Sequence, residues 1–587
     1  MKKKNSFQAV KSILNHMVDK SRISNLPKRP DKDNYIINLL KRIVNDAMTP
    51  EEEKIVYPIL AFFCMVCIGM LILINVFEGI QGDQLNSDDA IEIILANEIL
   101  TQKAIFPKGW YYTTEINILR PFMLAIPFLS ITNNMLLSQS VAAIICVLVF
   151  CVSWVYLLHS INVSKIPTMI SLIFLLTVPN IMDMMYIRAA YYFFIFFCIF
   201  MTIGYHNNCI KKNIRCREKC LRYILPLMAF MFGVTSIRML LTLYIPLLLS
   251  YGVYIVVLLM HNANSNKVMK YINRLLEVLF WTVLNVAGIA LYKKLFVSTE
   301  YIRDGYINTQ FSKAIDIIDA FSALLVNGLE IVGYKGSVNV FSVEGIYNCI
   351  KIFLIIFTIV LIPRIHKCHQ ESYFSCILYF FMALVILFFL FIFLQLDNNA
   401  TRYFYPLILF VAIIIANYNH FLKPRRIYQY AIVLCAIIMS FISLRQGIPR
   451  IEASGMGNKN KKAVVEYIKE AESELGVSMG EVGYATYWNA AVLTVLSNNV
   501  FEIGNIQLDS DFSPYLWGTK EAYYSPELSN ERTFLILTDE EEASIYEQYP
   551  DHNKLSMGEK VKEIDSYNIY VYDFNPFVVF GVPDVGE

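Results

Sequence analysis

The chain has 587 residues, a formal net charge of +1, 56% hydrophobic residues and 17% charged ones. Soluble domains carry about 45–50% apolar and about 25% charged residues, so this composition excludes an ordinary soluble protein and points to one that crosses a membrane repeatedly. A net charge this small also excludes bulk attraction to nucleic acid.

Residues 1–55 read as a basic tail, with Lys2, Lys3, Lys4, Lys11, Lys20 and Arg22 near its start. Phe7, Val10, Ile13, Leu14 and Met17 recur in it at helical spacing, which suits either a surface-lying helix or a plain solvated tail. So long a polar stretch before the first apolar run predicts that no signal peptide is cleaved here. Residues 56–447 read as a membrane domain. Runs able to cross a hydrocarbon core of about 30 Å fall near 57–77, 135–158, 166–182, 186–204, 222–236, 239–260, 276–293, 346–363, 374–395, 404–420 and 427–446, about 11 spans. The stretch 121–130 is too short to cross alone and reads as re-entrant or interfacial.

Lys and Arg cluster in alternate loops: Lys211, Lys212 and Arg215; Lys267, Lys270 and Arg274; Arg364 and Lys367; Lys423, Arg425 and Arg426. All fall on the side of the basic tail, and the positive-inside bias makes that side cytoplasmic. The loops 78–120 and 294–344 and the whole of residues 448–587 are then predicted to face outward. The last segment carries a helical pattern near 458–475 and strand-like runs at Val482–Tyr484, Val500–Ile503, Thr533–Leu537 and Tyr567–Tyr572. A second helix is expected to start at Thr538-Asp539, where Glu540, Glu541 and Glu542 favour its first turn. This predicts a small extracytoplasmic α/β domain, without a phosphate-binding glycine loop. Cys209, Cys216 and Cys220 cluster but lack a fourth ligand at zinc spacing.

The loop 78–120 holds the candidate chemistry. Asp88 and Asp89 are adjacent, with Glu92 and Glu98 following and Glu115 and Arg120 later. Ile91, Ile94, Leu95 and Ile99 predict an amphipathic helix lying on the membrane, with Asp88 near its amino end. A carboxylate there is either a helix cap or, held ionised by the helix dipole, a general base for a hydroxyl. Three arginines, Arg188, Arg238 and Arg402, sit near the outward ends of spans. Charge beside hydrocarbon is costly and is usually paired or functional, and guanidinium suits a phosphate.

With its acidic pair Ser87-Asp88-Asp89-Ala90, the helix after it, the many spans and the terminal soluble domain, the chain resembles the GT-C superfamily of membrane glycosyltransferases. These include protein O-mannosyltransferases, the lipid A aminoarabinose transferase and other family-39-like enzymes. Their usual pair is Asp-Glu; the Asp-Asp here leaves the role of Asp89 open. The resemblance implies a multi-pass membrane enzyme that moves a sugar, with inversion, from a polyprenyl-phosphate donor to a hydroxyl of a glycan, lipid or protein acceptor at the outer membrane face. It implies Asp88 as the base, with one or more of Arg188, Arg238 and Arg402 on the phosphate. Asp89, Glu92 or Glu115 would orient the acceptor, and Asp89 or Glu115 would hold a divalent cation if one is used. The alternatives are a ligase or polymerase of lipid-linked polysaccharide, which concentrates its residues in a late outward loop, and a transporter, which calls for internal repeats that are not legible here.

Overall fold

The computed structural model describes residues 47–578 apart from 117, 179–186, 188–189, 212–214, 298–300, 302–313, 368–370, 394–400, 422–424, 474–478, 481 and 551–552. The membrane domain begins with α1 (Pro50–Ile74, prolonged by a π-helical turn, Asn75–Gly79), α2 (Ser87–Gln102), the short strand β1 (Trp110–Tyr111), α3 (Phe122–Thr132), α4 (Met135–Ser160) and α5 (Lys165–Thr177). It continues with α6 (Phe193–Ile210), α7 (Cys216–Thr235), α8 (Ile245–Met260), α9 (Ser265–Tyr292), α10 (Ala314–Ile331), α11 (Val343–Leu361), α12 (Glu371–Phe393), α13 (Tyr405–Ala416) and α14 (Arg426–Glu452).

Among the described residues, 8 helices are long and apolar enough to span a membrane: α1, α4, α6, α8, α9, α11, α12 and α14. Each run read from the sequence as a span contains a helix, but three do not meet that standard. The helices α5 and α13 have 13 and 12 residues, roughly 20 Å at 1.5 Å per residue. The first turns of α7 carry Arg217, Glu218, Lys219 and Arg222. The stretch read as too short to cross forms α3, of 11 residues.

Close backbone approach organises part of the bundle. A Cβ at Gly233 in α7 would collide with the Asn285 carbonyl of α9, and one at Gly288 in α9 would collide with the Phe230 carbonyl of α7. Small residues at such a seam let two membrane helices meet backbone to backbone. The Asn285 side chain then donates to the Ala229 carbonyl at 2.8 Å, which satisfies a polar group that lipid would leave bare.

The carboxyl-terminal domain starts with α15 (Lys459–Ser473), followed by β2 (Val482–Thr486), α16 (Tyr487–Leu496), β3 (Glu502–Ile506), β4 (Thr519–Lys520), β5 (Thr533–Thr538), α17 (Asp539–Gln548), β6 (Glu559–Ile564) and β7 (Tyr567–Tyr572). Five strands form one sheet in the order β3-β2-β5-β7-β6. Strand β2 is parallel to both neighbours, whereas β7 is antiparallel to β5 and β6. Successive side chains alternate between faces. Phe534 and Ile536 pack with Val464, Ile468 and Leu493, while Leu535 and Leu537 pack with Tyr484, Tyr570 and Tyr572. The second helix starts where expected: Thr538 Oγ1 accepts from the Glu541 amide at 3.2 Å, and Glu541 returns a carboxylate to the Thr538 amide at 2.8 Å. The short β4, the helix α16 and the edge strand β6 were not anticipated.

This domain docks on the loop after α1. Helix α16 packs against α2, and Ala491, Val492 and Val495 share an apolar cluster with Ala90, Ile91, Ile94 and Leu95. Strand β1 pairs antiparallel with β4, Trp110 opposite Lys520 and Tyr111 opposite Thr519. Lys520 reaches Glu98 at 2.6 Å. Asp83 accepts from Lys462 at 2.8 Å and from the Gly455 and Gly457 amides at 2.7 and 3.2 Å. Helix α2 is therefore not a membrane-lying helix with one wet face. Asp89, Glu92 and Glu98 are all buried, because α3 and α16 pack on it and cations meet Glu92 and Glu98. Burial of each of its large aliphatic side chains contributes about 1.5–3 kcal/mol.

A candidate active site at the start of the first loop helix

The amino end of α2 is capped by Asn86, whose Oδ1 accepts from the Asp89 amide at 2.9 Å. Asp88 is therefore not the cap. Its carboxylate is exposed and accepts a hydrogen bond from the Tyr487 hydroxyl at 2.5 Å. Asp89 is buried; its Oδ2 accepts from Asn86 Nδ2 at 2.9 Å, and its carbonyl accepts from Gln139 of α4 at 2.8 Å. Glu92 lies one turn further on, and residues three and four apart share a helix face.

From Glu92 a line of alternating charges crosses to the membrane helices. Arg120 lies 3.8 Å from Glu92 through Nη1 and 3.2 Å from Glu115 through Nη2. The second oxygen of Glu115 is 2.8 Å from Nε of Arg238, which stands between α7 and α8. Glu92 is the buried carboxylate at the start of this line. Burial pushes its carboxyl up to about 7, against the pull of Arg120 and helped by the charges of Asp89 and Asp88. The Arg120 guanidinium also sits 5.3 Å from the Tyr191 ring centre. The Tyr191 hydroxyl is buried without a hydrogen-bond partner among the described residues. Arg238 also lines a largely apolar cavity, together with Tyr192, Leu241, Thr242, Leu387, Phe391 and Tyr405, among others.

The structure thus brings Asp88, Asp89, Glu92, Glu115 and Arg238 into one connected region. Arg188 lies outside the described residues. Arg402 belongs to a short 3-10 turn, Thr401–Phe404, and its side chain lies outside them too. Asp83 and Glu98, two further acids of the loop, are engaged in docking the carboxyl-terminal domain. Of the two carboxylates considered for a cation, Glu115 turns both oxygens to guanidinium groups. No group of three His, Cys, Asp or Glu side chains that could hold a metal ion gathers among the described residues. Sequence reasoning missed Arg120 as a bridge, although the single arginine in so acidic a loop was a usable signal. It also missed Tyr487, for which the sequence offers none.

No family model and no curated protein sequence matches the chain. Among solved structures, it is similar to ArnT from Cupriavidus metallidurans. In the apo state the TM-score is 0.49 at 9% identity, over 82% of this chain and 93% of that one. With undecaprenyl phosphate bound, the values are 0.43 and 10%, over 89% and 98%. It is also similar to the oligosaccharyltransferase AglB from Archaeoglobus fulgidus, in complex with an inhibitory peptide and a dolichol-phosphate, with a TM-score of 0.41 at 12% identity over 77% and 65%. Likeness at these scores bears on neither substrate nor mechanism, and the chemistry rests on the site itself.

Proposed function

We propose that this chain is a membrane glycosyltransferase that moves a sugar from a polyprenyl-phosphate donor to a hydroxyl acceptor at the outer membrane face. The observation that carries the reading is the presence, in one connected region, of an exposed, hydrogen-bonded carboxylate at the start of a largely buried helix and an arginine that lines an apolar cavity between membrane helices. An anionic group with an apolar tail fits the second of these, and an acceptor hydroxyl fits the first.

In this reading the acceptor hydroxyl gives its proton to Asp88 as its oxygen attacks the anomeric carbon. The bond from that carbon to the phosphate oxygen breaks, and the lipid phosphate leaves with the electron pair, inverting the anomeric centre. Arg238 meets the charge that develops on the phosphate, and we assign Arg188 and Arg402 to the same anion. Glu115 fixes the direction of Arg238, Arg120 ties that pair to Glu92, and Asp89 anchors the helix start that presents Asp88.

Purified protein incubated with labelled polyprenyl-phosphate sugars and a panel of acceptors tests the reading. Release of lipid phosphate that Asp88→Asn abolishes, with folding intact, is the expected result. No release with any donor, alongside solute flux in vesicles, would overturn it.

A further inference from the structure

Asp88 is the exposed member of the acidic pair, and among the described residues its one hydrogen-bond partner is Tyr487, nearly 400 positions away in the chain. Tyr487 stands where β2 of the carboxyl-terminal domain turns into α16. A second bond fixes the same junction: Ser87 Oγ donates to the Tyr487 carbonyl at 2.6 Å. The Tyr487 ring is braced edge-on by Trp488 and by Tyr515, with centroids 4.9 and 5.6 Å away. Its hydroxyl therefore has little freedom to leave the carboxylate. Burial and the Asp88 charge push the ionisation of Tyr487 well above its ordinary value, so it remains a proton donor in that bond.

The contact is dispensable for architecture. The domain has its own apolar clusters on both faces of its sheet. Its docking is secured elsewhere, by β1 on β4, by Lys520 on Glu98 and by Lys462 on Asp83. What the hydroxyl does is local: it fixes one oxygen of an exposed carboxylate.

We infer that the carboxyl-terminal domain is a working part of the site, and that Tyr487 is a positioning residue which holds Asp88 in its reactive orientation. This rests on the assignment of Asp88 as the base. A base held in one orientation abstracts a proton more often per encounter than one that samples several rotamers. The same bond lowers the exposure of the Asp88 carboxylate to small reagents.

The test uses the full chain in detergent or nanodiscs. Tyr487→Phe keeps the ring and removes the donor. The expected result is a kcat about ten- to a hundredfold lower, with KM for donor and acceptor unchanged and the same melting temperature and proteolytic pattern as the parent. An unchanged kcat, or a change confined to the acceptor KM, overturns the inference. A second readout does not need transfer at all: carbodiimide modification of Asp88, followed by peptide mass spectrometry. Several-fold faster modification in Tyr487→Phe supports the contact even if no sugar donor is accepted, in which case the transferase reading alone fails. Equal rates in the two proteins overturn the inference.

Discussion

The Arg450 guanidinium grips both oxygens of Glu78, at 2.6 and 2.7 Å, and so fastens the end of α14 to the end of α1. Glu78 is 3% exposed, and the loop that carries Asp88 leaves the bundle a few residues later. Removing one partner of such a buried pair leaves an uncompensated charge, at a cost of about 3–5 kcal/mol. Arg450→Met is expected to lower the melting temperature sharply. Glu78→Gln combined with Arg450→Met is expected to cost less than the sum of the single changes, read as a double-mutant cycle in one detergent. Additive losses would show that the pair does not act as a unit.

Glu92 gives the site a pH signature. Its carboxyl is held near 7 in the folded protein against an ordinary value of 4.5. The folded state therefore binds the extra proton between those values, and its advantage is full below about 4.5 and lost as the pH rises through about 7. At 1.36 kcal/mol per unit the change is about 3 kcal/mol. Melting temperatures measured across that window are expected to fall with rising pH, and Glu92→Gln is expected to flatten the slope. An unchanged slope in the variant would place the titration elsewhere.

The parts of this architecture that were legible are the ones written in local pattern. Apolar runs announced the spans, and Thr538 with Glu541 announced α17 through its capping box. The start of α2 was legible too, but its surroundings were not. Asp89, Glu92 and Glu98 look like solvated acids of a surface helix until Arg120 and Lys520 are known to meet the two glutamates. Those partners are distant in sequence, and no periodicity encodes them. The same holds for Tyr487 on Asp88: a contact between residues so far apart leaves no trace in either segment. The short α5 and α13 misled in the opposite way, since hydropathy counts apolar residues and not the helical length they achieve.

Arg238 is held by Glu115 and lines the apolar cavity between the membrane helices. Lysine keeps the charge but loses the planar fork that can serve a carboxylate and a phosphate together. Arg238→Lys is expected to lower kcat/KM for the lipid-linked donor about 10- to 100-fold, and Arg238→Ala to lower it further. Glu115→Gln is expected to fall between the parent and Arg238→Ala, because it frees the guanidinium without removing it. Steady-state kinetics with a short-chain donor make the comparison. Full activity in Arg238→Ala would remove this arginine from the phosphate.

Gly518 sits where the carboxyl-terminal domain touches α2, with φ +60 and the branched side chain of Ile91 where a Cβ would stand. A left-handed residue with a Cβ costs roughly 1–2 kcal/mol by itself, and here that Cβ would also meet Ile91. Ile91 is buried among Ala491, Val492 and Val495, so it can yield only by pushing α2 and α16 apart. Gly518→Ala is expected to loosen the docked domain, and Gly518→Val more so, with faster proteolysis of the segment between α14 and α15. Transfer is expected to fall in step, because undocking withdraws Tyr487 from Asp88. Gly336, which has open space around it, supplies the control: Gly336→Ala should change neither readout. Loss of docking with full transfer would separate the domain from the chemistry and leave the site to the membrane helices and α2 alone.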